Sequence, residues 1–275
     1  MVRPPKIVKA HTFKKDIRRS IRSSFGRFFA IMVIVALGAG IYAGLNAVAP
    51  DMRLTINRYY EEGRLFDVRL LSTLGFTDED LDEIKSVEGV KDFMAGYTVD
   101  ALSLLGSKEQ VVTVHSLPSD CSEDNENYLN RPVLLSGRMP QSAGECLISA
   151  SKLEENEIAL GAKIILENDD GELDDVLEIM EFEVVGTVNS SYYISMTYGT
   201  SSIGNGTVSR FIYVPEAAFC SEVYTDVHLT VEGAAGLDCF TDEYLDAVEL
   251  VTDRLDTLAD ERERLRYDEV YSEAR

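Results

Sequence analysis

Residues 28–49 read FFAIMVIVALGAGIYAGLNAVA, a run of 22 residues without a charged side chain. As a helix this run rises about 33 Å, enough to cross a bilayer hydrocarbon core of about 30 Å. The preceding 27 residues hold nine Lys or Arg and one acid, Asp16. Basic flanks stay on the cytoplasmic side of a membrane. The sequence therefore predicts a transmembrane helix over 28–49, with the amino terminus cytoplasmic and everything after Pro50 extracytoplasmic.

A cleaved signal peptide is the alternative, because Ala47-Val48-Ala49 has the A-x-A form of a cleavage site. The apolar run is longer than the roughly 7 to 15 residues of a signal-peptide core, and Pro50 would directly follow the cut. We therefore favour a retained anchor.

The leader, residues 1–27, is predicted to form an amphipathic basic helix that lies in the inner membrane interface. A plain basic flank that only sets topology is the alternative. Apolar residues of the leader, together with the first residue of the apolar run, recur at steps of four and three: Phe13, Ile17, Ile21, Phe25 and Phe28.

Charge divides the chain sharply. The leader has a net charge of +8, whereas the residues after the apolar run include 17 basic and 47 acidic side chains, a net charge of −30. Phosphate contacts need Lys and Arg, so the acidic part is not expected to bind nucleic acid. The acids indicate a solvated surface, with a cationic ligand as the alternative.

The pattern after residue 50 predicts an α+β fold. A helical stalk over 50–63 ends at Gly63, and Thr77 caps a helix that Gly89 closes. The last helix, 241–275, has an apolar stripe that only Arg262 interrupts, which fits a coiled-coil seam or a helix packed on a sheet. Strands are predicted at 66–73, 91–105, 109–117, 162–168, 179–188, 209–215 and 226–233, with strand, turn and strand over 133–150, a short helix at 152–160 and an exposed loop at 189–207.

The last helix carries no stop signal, which favours a fragment of a longer chain. Four cysteines lie on the predicted outer side, where disulfides are permitted and three pairings are possible. The local pairings, Cys121 with Cys146 and Cys220 with Cys239, are preferred; buried free thiols are the alternative.

The sequence offers few candidates for catalytic or metal-binding residues. His115 and His228 fall in strand patterns and are interpreted as hydrogen-bonded sheet residues. The acidic segment 169–172 is interpreted as a hairpin turn, because it lacks the order of a calcium loop. No metalloprotease, P-loop, nucleophile-elbow or kinase motif occurs. We therefore predict no catalytic, cofactor-binding or metal-binding residues, no cofactor, and no enzymatic activity.

Several short motifs occur in an order that resembles the amino-terminal part of an FtsX/MacB/LolC-type ABC transporter permease. The basic leader enters the apolar helix through an I-R-x-S-x-x-R-F-x-A-I run at 21–31. The other matching pieces are G-R-x-P at 137–140 with Glu145 and Ile148, L-G-x-K-I at 160–164, F-x-V-V-G at 182–186 and I-Y-V-P at 212–215.

The resemblance implies a transmembrane helix followed by an extracytoplasmic porter-like βαβ subdomain over 64–117 and 207–275. A β-rich, sabre-like subdomain over 118–206 would be inserted into it. The final helix resembles the start of the coiled-coil arm of longer bacterial members. The chain departs from the family in showing a single apolar span rather than four.

The resemblance further implies a membrane-anchored permease subunit that works with a separate ABC ATPase. Such permeases form homo- or heterodimers in membrane lipid and act on a substrate that the motifs do not identify. The alternative is a single-pass membrane protein whose extracytoplasmic domain binds a ligand or partner without transport.

Overall fold

A computed structural model describes residues 10–105, 108–150, 158–167, 172–195 and 197–273. The fold is α+β, as predicted, with an apolar helix near the amino terminus, two β-sheets and a long helix at the end. The chain divides into two compact units, residues 1–55 and residues 56–275. The second is called the folded unit below.

Two helices open the chain. Helix α1 covers Ala10–Ser23 and helix α2 covers Phe25–Glu62. None of the residues of α2 is buried. Pro50 lies inside the helix without ending it. Within the described residues, α2 is the one helix long and apolar enough to cross a membrane. The predicted span and the predicted stalk are therefore one continuous helix.

The smaller sheet has three strands in the order β1-β10-β2, formed by Val68–Phe76, Tyr224–Val231 and Val90–Gly96. β1 and β2 both run antiparallel to β10, so they are parallel to each other and form a split βαβ unit with helix α3, Asp78–Ser86. Thr77 and Asp80 form a capping box at the start of α3, as the sequence predicts a cap there.

Helix α4, Asp242–Glu273, packs with α3 against the small sheet. The predicted stripe supplies its packed side: Val251 and Leu255 are buried, and Tyr244, Val248 and Leu258 pack against the same core. The fully buried sheet residues beneath the helices include Val227 and Leu229 of β10.

The larger sheet has seven strands in the order β5-β8-β6-β9-β4-β3-β7. Strand β7 pairs with both β3 and β8, so six strands close into a small barrel, and β5 pairs with the far end of β8. Closure removes the free edges of a sheet. The strands are β3 Thr98–Leu105, β4 Lys108–Leu117, β5 Val133–Gly137, β6 Glu145–Ser149, β7 Lys163–Glu167, β8 Glu181–Asn189 and β9 Val208–Pro215.

Alternating apolar residues of these strands fill the barrel. Val112 and Val114 of β4 are fully buried in this core, as is Phe182 of β8. A second apolar cluster, which includes Leu147, Phe211 and Tyr213, lies outside that core. Because neighbouring residues of one strand enter different clusters, both faces of β6 and β9 are packed.

One predicted strand is wrong in extent. The segment 91–105 is two strands, β2 and β3, which belong to different sheets. The chain passes from one sheet to the other at Tyr97, whose backbone N–H donates to the Ser116 hydroxyl at 2.8 Å. The next N–H, of Thr98, donates to the Thr225 hydroxyl at 2.8 Å. At this crossing, side-chain hydroxyls accept the backbone hydrogen bonds that a neighbouring strand would otherwise accept. The periodicity of the sequence does not reveal that the chain changes sheets here.

The segments of the predicted porter-like subdomain supply strands to both sheets. Residues 64–117 and 207–275 give β1, β2 and β10 to the small sheet, but they give β3, β4 and β9 to the barrel. Residues 118–206 supply the other three barrel strands, β6, β7 and β8, together with β5 of the same sheet. The subdomain boundaries that the resemblance implies stay a prediction.

Two further expectations fall partly outside the described residues. The short helix predicted at 152–160 begins outside the described residues, and residues 160–161 form a turn. The predicted turn at 169–172 also begins there, while β7 and β8, which it would join, do pair antiparallel.

The prediction of an exposed loop over 189–207 is wrong at its start. Ser190 and Ser191 are 3% and 1% exposed, and residues 191–193 form a 3₁₀ turn. A Cβ at Gly63 would collide with the Ser191 side chain, so the end of α2 approaches this turn closely.

The predicted disulfides are also wrong, since all four cysteines are free. Cys146 lies inside the barrel, whereas Cys121 packs on the separate cluster outside that core. Cys220 is exposed, and its thiol lies 3.5 Å from the Asp174 carbonyl oxygen. Cys239 precedes α4 and is half-buried. Closeness in sequence does not bring these thiols together, because different elements carry them.

Candidate functional site

The last turns of α2 are fastened to the segment that leads into α4. The Asn57 side-chain amide donates to Asp238 Oδ1 at 2.8 Å, and its oxygen accepts from the Cys239 N–H at 3.3 Å. One side chain of α2 thus bonds to a segment about 180 residues later in the sequence. The signal for this contact is a single Asn on the stalk, and the sequence alone does not identify it.

The turn that ends α2 is held by the segment leading into β5. Arg131 N–H donates to the Gly63 carbonyl at 2.7 Å, and Asn130 N–H donates to the Arg64 carbonyl at 2.8 Å. Arg64 adopts the left-handed region (φ 45°), and its guanidinium bonds Asp92 of β2 at 2.9 Å. Consecutive residues after α2 are therefore bonded to β2 of the small sheet and to the segment that leads into β5 of the larger sheet.

A cavity of about 410 Å³ lies beside this turn, between the end of α2, the start of β1 and the start of α4. Asp67 is half-buried in its wall. The Tyr244 hydroxyl donates to one carboxylate oxygen of Asp67 at 2.7 Å, and the Val231 N–H donates to the other at 2.8 Å. Burial raises the pKa of Asp67 above its ordinary value, although these two hydrogen bonds act in the opposite direction.

A buried polar network lies where the two sheets meet. Arg69 of β1 makes two hydrogen bonds to Asp226 of β10, at 2.8 and 2.6 Å, and Asp226 is 1% exposed. The Thr98 hydroxyl of β3 donates to the same carboxylate at 2.7 Å, and Arg69 also donates to the Tyr192 hydroxyl at 2.6 Å. Burial alone would raise the pKa of Asp226, but the bonds from Arg69 and Thr98 hold it below its ordinary value.

The two strand histidines belong to this network. The Thr98 hydroxyl gives its proton to Asp226, so His115 must donate from Nδ1 to Thr98 at 2.9 Å. Its Nε2 then accepts from the Tyr193 hydroxyl at 2.6 Å. The interpretation of His115 as a hydrogen-bonded sheet residue is confirmed.

The ring nitrogens of His228 are only partly supplied with polar partners. Its Nε2 lies 3.5 Å from Asp226, its ring stacks on Phe66 with centroids 4.4 Å apart, and its buried Nδ1 has no hydrogen-bond partner in the described part of the chain. Burial lowers the pKa of His115 to about 3 and that of His228 to about 4, so both rings are neutral at pH 7.

Helix α4 is pinned to α3 by the residue that interrupts its apolar stripe. Arg262 Nε donates to Asp80 Oδ1 at 2.6 Å, and Asp80 also belongs to the capping box of α3. Arg254, two turns earlier, donates to the Glu88 carbonyl and lies 3.2 Å from the Glu88 carboxylate. Arg262, which interrupts the apolar stripe of α4, therefore makes a specific contact with Asp80 of α3.

These hydrogen bonds and ion pairs connect helices, strands and loop segments of the folded unit. Groups of three or more His, Cys, Asp or Glu that could hold a metal do not occur among the described residues. The sequence did not single out Asn57, Asp67, Arg69 or Asp226. The available signal was a charged side chain inside a predicted strand, as for Arg69 and Asp226.

No family model matches the sequence, and no curated protein matches it significantly. Similar solved structures include the extracellular domain of the noncanonic ABC-type transporter YknZ from Gram-positive bacteria. It is 17% identical, with a TM-score of 0.35 over 67% of this chain and 87% of that one. The periplasmic region of MacB from Actinobacillus actinomycetemcomitans is 13% identical, with a TM-score of 0.34 over 69% and 75%.

Proposed function

We propose that this chain is a membrane-anchored permease subunit of an ABC transporter, or the amino-terminal part of one. A separate ATPase subunit would hydrolyse ATP, and α2 would carry the resulting movement to the folded unit. The proposal is supported by the order of the permease-like motifs and by a membrane-length helix with no buried side chain.

One observation carries the mechanical part of the proposal. Within eight residues, Asn57, Gly63 and Arg64 bond the end of α2 to the segment before α4, to the segment before β5 and to β2. A flexible tether would leave a linker between the helix and the sheets. Here a displacement of the end of α2 would act directly on β2 and on the segments before β5 and α4, which is what a rigid coupling element requires.

The proposed orientation follows from charge. The basic leader would stay in the cytoplasm, where a partner ATPase can reach it, and the acidic folded unit would lie outside. There the folded unit would expel, extract or hand on an amphiphile or peptide, or activate a cell-wall enzyme. A second chain of the same or a related permease would complete the assembly.

The test is purification of the full chain in mild detergent from its own cells, with quantitative mass spectrometry of the subunits that remain bound. We expect a P-loop ATPase in about equal amount, and an ATP-dependent change in the exchange protection of residues 57–64. An intact, membrane-extracted chain with no ATPase bound would contradict the proposal.

A single-pass ligand-binding protein is the second candidate. It is favoured by the presence of one membrane-length helix within the described residues. Under this alternative the same preparation would lack the ATPase, and nucleotide would leave the protection of residues 57–64 unchanged.

A further inference from the structure

The cavity beside the end of α2 has the size and lining of a small-molecule site. Its volume of about 410 Å³ falls within the range of about 300–1,000 Å³ typical of ligand pockets. Its apolar lining residues include Leu65, Val231, Ala234 and Leu237, and a few charged residues line it as well. An apolar wall with a few charged groups fits a small amphiphilic ligand.

The charges in this cavity are not balanced. Three carboxylates line it, from Glu61, Asp67 and Asp92, but only two cationic side chains, from Arg64 and Lys91. Both cations face Asp92: Arg64 lies 2.9 Å and Lys91 3.7 Å from its carboxylate. The lining therefore has a net charge of −1, and both Glu61 and Asp67 are left without an ion pair to another residue that lines the cavity.

Asp67 is the more buried of these two carboxylates, because Glu61 is exposed to water. Its two observed side-chain hydrogen bonds come from neutral donors, the Tyr244 hydroxyl and the Val231 N–H, and it forms no ion pair within 4.0 Å in the described structure. Taking a carboxylate out of water without a cation is costly, and the raised pKa of Asp67 reflects that cost. Its accepting capacity is not exhausted, because an ionised carboxylate has about four lone-pair sites.

Aromatic rings lie in the same wall. Tyr60 of α2, Phe66 before β1 and Tyr244 of α4 all line the cavity with Asp67. Ring faces attract organic cations through their quadrupoles, and aromatic walls with a nearby carboxylate are a recurring way to bind ammonium groups. The apolar wall can accommodate the rest of such a ligand.

We infer that this cavity binds an organic ammonium ion, with Asp67 as the counter-ion and the rings of Tyr60 and Tyr244 in its wall. A monocation would neutralise the lining and give Asp67 an ion-pair partner, which it lacks within 4.0 Å among the described residues. The ligand source is either a soluble amine or the ammonium headgroup of a lipid. The inference does not depend on an ATPase partner or on transport.

The first test measures binding of 2-phenylethylammonium to the full chain in detergent by isothermal titration calorimetry. The neutral analogue 2-phenylethanol and the anion 3-phenylpropionate are the ligand controls. We expect the ammonium to bind at least tenfold more tightly than either. Asp67→Asn should weaken ammonium binding at least tenfold, whereas Asp82→Asn, the same change at an exposed position of α3, should leave it unchanged.

A second variant protects the test against misfolding of Asp67→Asn. Lys91→Met removes a half-exposed cation from the cavity and should tighten ammonium binding at least threefold. Lys85→Met, equally exposed but outside this cavity, is its control and should have no effect. Equal binding of the three ligands, or an unchanged affinity in Lys91→Met, would overturn the inference.

A last arm identifies the source of the ammonium. Nanodiscs containing phosphatidylethanolamine are compared with nanodiscs containing only phosphatidylglycerol. Loss of probe binding in the first alone supports a lipid headgroup as the occupant. Equal probe binding in both supports a soluble amine.

Discussion

Arg69 and Asp226 show how two side chains determine the contact between the sheets. Both come from the small sheet, yet the bonds to Thr98 and Tyr192 extend their network to the barrel side. A buried ion pair contributes little net stability, because desolvation offsets the attraction between the charges. It is costly to break, however, since the remaining charge stays buried without a partner.

The first prediction follows from this asymmetry. Arg69→Met should destabilise the folded unit by about 3–5 kcal/mol, because it leaves the Asp226 carboxylate buried and uncompensated. Arg138→Met is the matched control: it breaks another two-bond Arg–carboxylate pair, with Glu145, but at the surface, and should cost far less because water screens exposed charges. Urea unfolding followed by circular dichroism measures both. Equal losses would contradict a structural role for the buried network.

The second prediction concerns pH. His115 and His228 have folded-state pKa values of about 3 and about 4, below the unfolded value of about 6.5. Between those values the unfolded chain binds more protons, so stability is full above pH 6.5 and falls as the pH drops toward 4. The expected slope is up to about 1.4 kcal/mol per pH unit for each ring.

The control for the pH prediction is a pair of substitutions. His228→Phe keeps an aromatic ring next to Phe66 and removes one titrating group, so it should roughly halve the slope between pH 6.5 and 4.5. His11→Phe, in α1 outside the folded unit, should leave the slope unchanged. An unaltered slope in His228→Phe would mean that carboxylates alone cause the acid sensitivity.

At the scale of elements, local signals were read correctly and distant pairings were not. The end of α2 at Gly63, the Thr77 cap and the packed stripe of α4 depend on neighbours within one or two helical turns, and the sequence displays them. Closure of the barrel by β7 depends on Leu102 meeting Glu167, 65 residues away, and no local pattern encodes that pairing. The candidate site escaped prediction for the same reason, because Asn57 and Asp238 are partners although they are 181 residues apart in the sequence.

The third prediction concerns the pin between α4 and α3. Arg262→Gln removes the charged bond to Asp80, so the part of α4 beyond Leu258 should open locally. Hydrogen exchange in 259–265 should become at least tenfold faster, while the buried segment around Val251 and Leu255 stays protected. Arg264→Gln, at an exposed position of the same helix, is the control. Equal protection in the two variants would show that packing alone holds α4.

At the scale of the whole molecule, charge and hydrophobicity divide the chain in the same places. The +8 leader precedes the apolar run, and a net charge of −30 follows it. Each part suits one environment: the leader is attracted to anionic lipid headgroups, the apolar helix fits hydrocarbon, and the acidic folded unit is repelled from anionic headgroups and kept soluble. A membrane orientation with the leader inside satisfies all three at once.

The fourth prediction tests that orientation with a thiol the chain already has. Cys220 is exposed and free, so a membrane-impermeant maleimide should label it in intact cells once any outer membrane has been opened. In a Cys220→Ser background, Ser20→Cys places a thiol at an exposed position of α1 instead. That thiol should react only after the inner membrane is permeabilised, because a leader with nine basic residues is expected to stay on the cytoplasmic side. Labelling of Ser20→Cys in intact cells, with Cys220 protected, would reverse the topology and place the folded unit inside, where the proposed extracytoplasmic role is impossible.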